Sequence, residues 1–298
     1  GSNNVGLGRY ALALNTTASN NTAVGYQAGY NNTTALANTF VGKAAGYSNT
    51  TGDQHTALGQ NALFSNNTGD SNTALGSDSM YTNTTGHGSV AIGRGALYYN
   101  TSGINNIAIG PYSAASATAA LFSNTTGSYN IALGKGALHS NTTASNNTAV
   151  GYKAGFSNTT GDGNAAFGYQ AFLDNTTGSN NTAIGYEANA NNTTGNYNVS
   201  LGLQSLLNNT TASNNIALGY QALTANTTGE INVAVGKALG TNTTGGNNIG
   251  IGFASLNFNT TGSQNVAMGR DALRSNSTAS NNTAVGYQAG YSNTTGAD

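Results

Sequence analysis

The sequence predicts an all-β protein, a parallel β-solenoid (β-roll) of seventeen 17-residue coils with two short strands per coil. Three observations support this fold: a glycine recurs every 17 residues, the residues before it alternate in size, and an Asn-Thr-Thr turn follows it. A fixed repeat of this length is typical of proteins whose successive coils stack on one another around a continuous core. The repeat therefore outweighs any single local motif.

The recurring glycine sets the register, and each coil is numbered from it as position 0. Two spacings differ: a seven-residue insertion falls within 111–122, and one residue is missing near Lys237–Gly240. We expect one continuous solenoid over 1–298. Pro111 suits a corner or an edge because it cannot donate a ladder hydrogen bond. The insertion is then a loop bulging from one coil, either on a binding face or merely tolerated. The glycines at position 0 are Gly8, Gly25, Gly42, Gly59, Gly76, Gly93, Gly110, Gly134, Gly151, Gly168, Gly185, Gly202, Gly219, Gly236, Gly252, Gly269 and Gly286.

The three residues before each glycine read as a short strand. Position −1 is large and apolar in all seventeen coils, and position −3 is β-branched in every coil except that of Ala165. Position −2 is Ala, Gly or Ser in every coil except that of Phe40. Alternation of this kind gives a strand two different faces. We expect positions −1 and −3 to form buried internal ladders, so that a charge introduced at Ile184 would be buried. The small face at −2 would admit a second sheet or a neighbouring chain.

The residues after the glycine predict a second, shorter strand and a corner. Position +3 is mostly Ala and position +4 is often Leu or Gly, which we interpret as a strand returning along the coil. Position +7, or its equivalent in the two irregular coils, is Asn in all seventeen coils. It precedes Thr-Thr, or the variants Asn67-Thr68, Thr101-Ser102 and Ser277-Thr278, and then Gly or Ala. These residue types favour turns. Position −4 is also Asn, except at His55 and Ser89. Stacked Asn columns can hydrogen-bond side chain to side chain, so we expect both columns to be structural.

The corner also matches the N-glycosylation motif in every coil, so each coil could carry one glycan in a suitable secretory pathway. Corner chemistry alone would select the same residues, and both interpretations stay open. The candidate glycosylation sites are Asn15, Asn32, Asn49, Asn66, Asn83, Asn100, Asn124, Asn141, Asn158, Asn175, Asn192, Asn209, Asn226, Asn242, Asn259, Asn276 and Asn293.

Position +1 is Tyr in six coils and Lys or Arg in six others. Stacking would align these side chains and permit cation–π contacts between neighbours. The column is either a strip that binds sugars or polyanions, or a solvated column that keeps like charges apart. The candidate surface-binding tyrosines are Tyr26, Tyr152, Tyr169, Tyr186, Tyr220 and Tyr287.

Composition excludes several classes of function. Only 6% of the residues are charged and the net charge is −1, which does not suit a nucleic-acid partner. No apolar run is long enough for membrane insertion. The chain has no cysteine, and His55, His87 and His139 occupy three different positions of the repeat. Acidic residues are scattered, so we expect no catalytic residue, metal site or cofactor, and no enzyme.

The repeat is similar to known surface repeats. The stretch Asn-Thr-Ala-Val-Gly-Tyr-Gln-Ala at 21–28, and Val90-Ala91-Ile92-Gly93, resemble the head repeats of trimeric autotransporter adhesins. They also resemble the NTAVGYQA…NTTGSN repeats of bacteriophage tail-fibre-like and bacterial surface proteins. The resemblance covers the whole chain. It implies a left-handed parallel β-roll, often in a homotrimer, on a cell surface or a virion.

These observations together predict a non-enzymatic extracellular fibre segment, structural or adhesive, that spaces or presents a repetitive binding face. Neither end resembles a cap, and the small row at −2 suggests close packing, so we expect self-association as a homotrimer or a head-to-tail filament. A host-surface glycan or a protein receptor is the expected external partner. The alternatives are a heavily N-glycosylated filament protomer and an ice-binding solenoid.

Overall fold

The fold was analysed in a computed structural model that describes residues 1–110 and 118–296. The chain divides into two units, Gly1–Lys153 and Ala154–Asp298. Both units consist of stacked coils, and each described coil contributes one strand of three residues. The first unit contains β1 Val5–Leu7, β2 Thr22–Val24, β3 Thr39–Val41, β4 Thr56–Leu58, β5 Thr73–Leu75, β6 Val90–Ile92, β7 Ile107–Ile109, β8 Ile131–Leu133 and β9 Thr148–Val150. The second contains β10 Ala165–Phe167, β11 Thr182–Ile184, β12 Val199–Leu201, β13 Ile216–Leu218, β14 Val233–Val235, β15 Ile249–Ile251, β16 Val266–Met268 and β17 Thr283–Val285.

Successive strands within each unit pair in parallel, with equivalent repeat positions opposite one another. Thr182 pairs with Val199, and Val199 with Ile216. The register survives both irregular spacings, since Ile107 pairs with Ile131 across the insertion and Val233 pairs with Ile249 across the deletion. The predicted all-β parallel solenoid with 17-residue coils is therefore confirmed.

The predicted second strand does not form, because consecutive turns take its place. The backbone has a positive φ at positions +2 and +4, for example 54° at both Gln204 and Leu206. The Gln204 N–H donates to the Tyr186 carbonyl of the preceding coil, and the Leu206 N–H donates to the Ala222 carbonyl of the following coil, each at 2.9 Å. Left-handed leucines cost about 1–2 kcal/mol each, so these inter-coil bonds and side-chain burial must offset that cost.

The orientation predicted for the strand is wrong. The small residue at −2 faces the interior and is buried in β2 through β17, whereas no residue at −3 or −1 is buried in any strand. Ala183 is fully buried, and its neighbour Ile184 is 37% exposed. A charge at Ile184 would therefore not be buried within the coil. The small row at −2 packs inside its own chain, so it gives no reason to expect association.

The interior of the coil is narrow, which explains the preference for alanine. Gly250 occupies position −2, and a Cβ added there would lie 3.2 Å from Leu239 Cγ and 3.2 Å from Ser255 Oγ. Leucines at +4 and small residues at +3 thus fill the space opposite the strand. In the second unit the core cluster consists of Leu206, Ala217, Ala222, Leu223, Ala234, Ala238, Leu239, Leu256, Ala267, Ala272, Leu273 and Ala284.

Phe40 is the exception at −2, and its neighbours compensate for its size. It is fully buried, and the residues at +4 in the preceding coil and in its own coil are Gly29 and Gly46 instead of leucine. A Cβ at Gly46 would lie 2.3 Å from the Phe40 ring, and one at Gly29 would lie 2.9 Å from it. Large and small residues have exchanged places across the core, which conserves its volume.

Glycine at position 0 is required by the close stacking of backbones. Gly168 has a φ of 136°, and a Cβ there would lie 2.4 Å from the carbonyl oxygen of Gly185 in the next coil. Real Cβ contacts are not this short, so any side chain would separate the two coils. The glycine column therefore sets both the turn after the strand and the spacing of the stack.

The irregular coils return to the repeat quickly. The bulge was predicted within 111–122, and residues 111–117 of it, including Pro111, lie outside the described residues. The chain then resumes with Ala120 and Leu121 at the positions of +3 and +4, and the Leu97 N–H donates to the Ala120 carbonyl at 3.2 Å. At the deletion, Ala238 and Leu239 follow Gly236 one residue early and remain buried.

Candidate functional site

The outer face of the strands is unusual because it is apolar and yet exposed. It consists of positions −3 and −1 of the strands, and we call it the apolar sheet face. Position −3 holds only Thr, Val, Ile or Ala, position −1 holds only Leu, Val, Ile, Phe or Met, and neither holds a charge in any coil. Leu58 is 50% exposed and Leu201 is 47% exposed. Extended exposed apolar surfaces mark interaction sites in soluble proteins.

The predicted tyrosine strip at +1 is exposed at all six positions, from 37% at Tyr152 to 69% at Tyr287. Tyr169 and Tyr186 stack with 5.0 Å between ring centroids. Lys237 Nζ lies 5.5 Å from the centre of the Tyr220 ring. The expected stacking and cation–π contacts are therefore present. Binding of sugars or polyanions by this strip stays a prediction.

The asparagines of the candidate glycosylation sites lie mostly inside the coil. All of them are buried except Asn15 and Asn293, which are half-buried. The Asn209 Nδ2 donates to Asn192 Oδ1 at 2.8 Å and to the Ala212 carbonyl at 3.0 Å. Nδ2 is the atom that would carry a glycan, and both of its hydrogens are used here. The geometry therefore supports the structural role of this column.

The −4 column forms a second ladder with a different pattern. The Asn181 Oδ1 accepts the backbone N–H of Asn198 at 2.9 Å, and its Nδ2 donates to the Gly195 carbonyl at 2.9 Å. His55 occupies one position of this column and is 1% exposed. Its Nδ1 accepts the backbone N–H of Asn72 at 3.1 Å, and burial lowers the pKa of the imidazole to about 4.

The structure adds an aromatic column at position +5 that sequence analysis missed. Its rings stack along the first unit, with centroids 5.3 Å apart for Tyr30 and Tyr47 and 5.0 Å for Phe64 and Tyr81. The aromatic column comprises Tyr30, Tyr47, Phe64, Tyr81, Tyr98, Phe122 and His139. The signal in the sequence is an aromatic residue five positions after the glycine in consecutive coils, visible only when the coils are aligned.

The three histidines lie apart, as predicted. His55 is buried in the −4 column, His87 is exposed, and His139 stacks on Phe122 with centroids 5.4 Å apart. Among residues 1–110 and 118–296, no group of three or more His, Asp or Glu side chains is placed to hold a metal ion. The same residues include no helical segment with the length and hydropathy of a membrane span.

The two threonines of each corner point differently. The Thr193 Oγ1 at +8 donates to the Thr210 carbonyl at 2.9 Å, which ties the hydroxyl to the next coil. Thr177 and Thr194, both at +9, are exposed. The side chains at +9 thus form an exposed row in the corner, whereas hydroxyls at +8 such as that of Thr193 donate to the next coil.

Comparison with known proteins gives no assignment. No protein-family model matches the chain, and no curated protein matches it.

Proposed function

We propose that the chain is a non-enzymatic structural or adhesive fibre segment of a cell surface or a virion. It self-associates through the apolar sheet face and presents the remaining faces of its coils repetitively. The proposal rests on one observation: Leu58 in the first unit and Leu201 in the second are about half exposed on the apolar sheet face, in a chain with few charges.

Burying this face is favourable because apolar area contributes about 25 cal/mol per Å² removed from water. A large apolar residue at −1 in every coil, none of them buried, would also be a solubility liability, since large apolar patches promote association. A partner with the same repeat matches this face coil by coil. A second and third copy of the chain meet that requirement, so a homotrimer is the assembly we propose, with a head-to-tail filament as the other form.

Sedimentation velocity at micromolar concentration tests self-association. The test variant carries Leu201→Thr, Leu218→Thr and Val235→Thr, since threonine is already common at −3 and suits a strand. The control variant carries Leu203→Thr, Phe253→Thr and Phe258→Thr, which replace exposed apolar residues outside the sheet face. We expect an oligomer for the unmodified chain and the control, and a monomer for the test variant. A monomeric unmodified chain would overturn the proposal.

Ice binding is the second candidate, favoured by the exposed row of threonines at +9. Only the corner row at +9 would face an ice lattice, because hydroxyls at +8 donate to backbone carbonyls. A single row gives a narrow match to the lattice. Thermal hysteresis in the purified chain would support this function, and its absence would exclude it. A heavily glycosylated filament is the third hypothesis. The burial of amides such as that of Asn209 does not favour it, because Nδ2 is the atom that would carry the glycan.

A further inference from the structure

A groove in the first unit lies between the +2 residues and the aromatic column. Its volume is about 420 Å³, within the range of sites that bind small molecules. One wall is polar and contains Asn61, Asp78 and Arg94. Gly95 lies between the walls and occupies position +2 of its coil. The groove lies on the turn side of the coil and is separate in sequence from the apolar sheet face.

The polar wall offers fixed acceptors beside donors. The Asn61 Nδ2 donates to Asp78 Oδ1 at 3.0 Å, and the Ser77 Oγ donates to Asp78 Oδ2 at 2.9 Å. A carboxylate has about four acceptor positions, so each oxygen can accept a further bond from a ligand hydroxyl. Arg94 also lines the groove and brings a positive charge to it. One formal charge of each sign gives a site with no net charge.

The opposite wall is aromatic and its rings are not all parallel. Tyr81 and Tyr98 are stacked within 7°, but Tyr98 and Phe122 open to 28°. Tyr99 stands at 72° to Tyr98, with centroids 4.7 Å apart, and is 47% exposed. The regular stack is thus interrupted between Tyr98 and Phe122, and Tyr99 adds a ring at a different angle to the lining of the groove.

Gly95 lines the groove with backbone alone. Its φ is 65°, close to the values of side-chain-bearing residues at the same position, such as 58° at Asp78 and 54° at Gln204. The backbone at +2 therefore accommodates residues other than glycine. The turn therefore does not require glycine at this position, and Gly95 lines the groove without a side chain.

We propose that this groove binds a neutral saccharide. A pyranose has an apolar C–H face that suits an aromatic ring and hydroxyls that both donate and accept. Asp78 disfavours a polyanion, Arg94 disfavours a cation, and the polar wall disfavours a purely apolar ligand. This inference deepens the proposed function, because it names neutral saccharides as the ligand class of a surface that the fibre presents. It rests on the proposed function for that role alone. A single chain forms the whole groove.

Saturation-transfer NMR with methyl pyranosides and short neutral oligosaccharides tests the site. The central variant is Gly95→Gln, which places at +2 the residue found there at Gln204 and should leave the coil folded. Gly136→Gln is the matched control, because Gly136 is a +2 glycine with a φ of 71° that does not line the groove. Tyr99→Ala removes the exposed ring.

We expect at least one neutral saccharide to bind, with affinity reduced about tenfold or more by Gly95→Gln and by Tyr99→Ala, and unchanged by Gly136→Gln. The inference is overturned if no saccharide in the panel binds, or if the bound one binds equally well to Gly95→Gln. Sedimentation of the same samples separates the two proposals: loss of binding in a variant that still self-associates concerns the groove alone.

Discussion

The Asn192 Nδ2 donates to the Oδ1 of Asn175 at 2.9 Å and to the carbonyl of Gly195 at 3.1 Å. The same side chain accepts from the Asn209 Nδ2 at 2.8 Å. Each buried amide at +7 therefore closes its own corner and joins two neighbouring coils. This relationship explains why every coil has asparagine at +7. Aspartate lacks the donors, and glutamine would be one methylene too long.

Asn192→Asp should lower the free energy of unfolding by about 3 kcal/mol or more, since it removes two donors and buries a carboxylate without changing shape. Denaturant titration followed by circular dichroism measures the effect. Asn208→Asp is the matched control: Asn208 is exposed, and its Oδ1 accepts from Asn191 Nδ2, which aspartate also permits. The control should stay within about 0.5 kcal/mol of the unmodified chain. Equal effects of the two changes would contradict a structural role for the column.

Asn189 is a weak point in the core. It occupies position +4 and is fully buried, and neither side-chain atom of its amide has a protein hydrogen-bond partner. Leucine stands at the equivalent position of the next coil, where Leu206 is buried with a φ of 54°, close to the 48° of Asn189. Asn189→Leu should therefore raise the free energy of unfolding by about 1–3 kcal/mol, because an unpaired buried amide becomes apolar.

Thermal and denaturant unfolding measure this stabilisation. The reverse change, Leu206→Asn, serves as the control and should destabilise the chain by a comparable amount. If Asn189→Leu instead lowers the free energy of unfolding, the Asn189 amide stabilises the fold and is not an unpaired weak point.

His55 replaces an asparagine of the −4 column and makes stability depend on pH. Burial is the main cause that lowers the pKa of His55 to about 4 in the folded chain, whereas the pKa is 6.5 in the unfolded chain. Unfolded chains therefore bind more protons between these values, and stability is full above pH 6.5 and falls as the pH drops towards 4. The loss is on the order of 3 kcal/mol at most. His139, whose pKa is also lowered mainly by partial burial, adds a contribution of the same sign.

His55→Asn should restore the regular column and reduce this pH dependence. The measurement is the free energy of unfolding of both proteins at pH 7.5, 5.5 and 4.5. We expect the two curves to separate as the pH falls, with the variant more stable at pH 4.5. Parallel curves over this range would show that His55 is not held neutral by the fold.

The repeat alone was sufficient to predict the coil length, the strand position and the two asparagine columns, because backbone stacking imposes one residue type at each of these places. The side of the strand that faces inward was not predictable from residue size. The usual expectation places large residues inside, but here Leu206 and its equivalents at +4 already fill the interior. The exchange of Phe40 with Gly29 and Gly46 was the available clue, since it links −2 to +4 across the core.

The proposed binding surfaces were harder to predict, for a different reason. The tyrosines at +1 recur often enough to be noticed, whereas the groove depends on Gly95, one of two glycines at +2, and on Tyr99, the single tyrosine at +6. A periodic pattern predicts what the coils share. A site built from local exceptions becomes visible only when the coordinates place those exceptions side by side.

Maleimide labelling of single cysteines tests most directly whether the apolar sheet face is covered by another copy of the chain. The chain has no cysteine of its own, so Thr177→Cys, Ala183→Cys and Ile184→Cys each report one position. Thr177 is exposed, Ala183 is buried in its own coil, and Ile184 lies on the sheet face. At micromolar concentration we predict rapid labelling of Thr177→Cys and protection of the other two, with Ile184→Cys alone becoming reactive on dilution. Labelling of Ile184→Cys as fast as Thr177→Cys at every concentration would contradict the account.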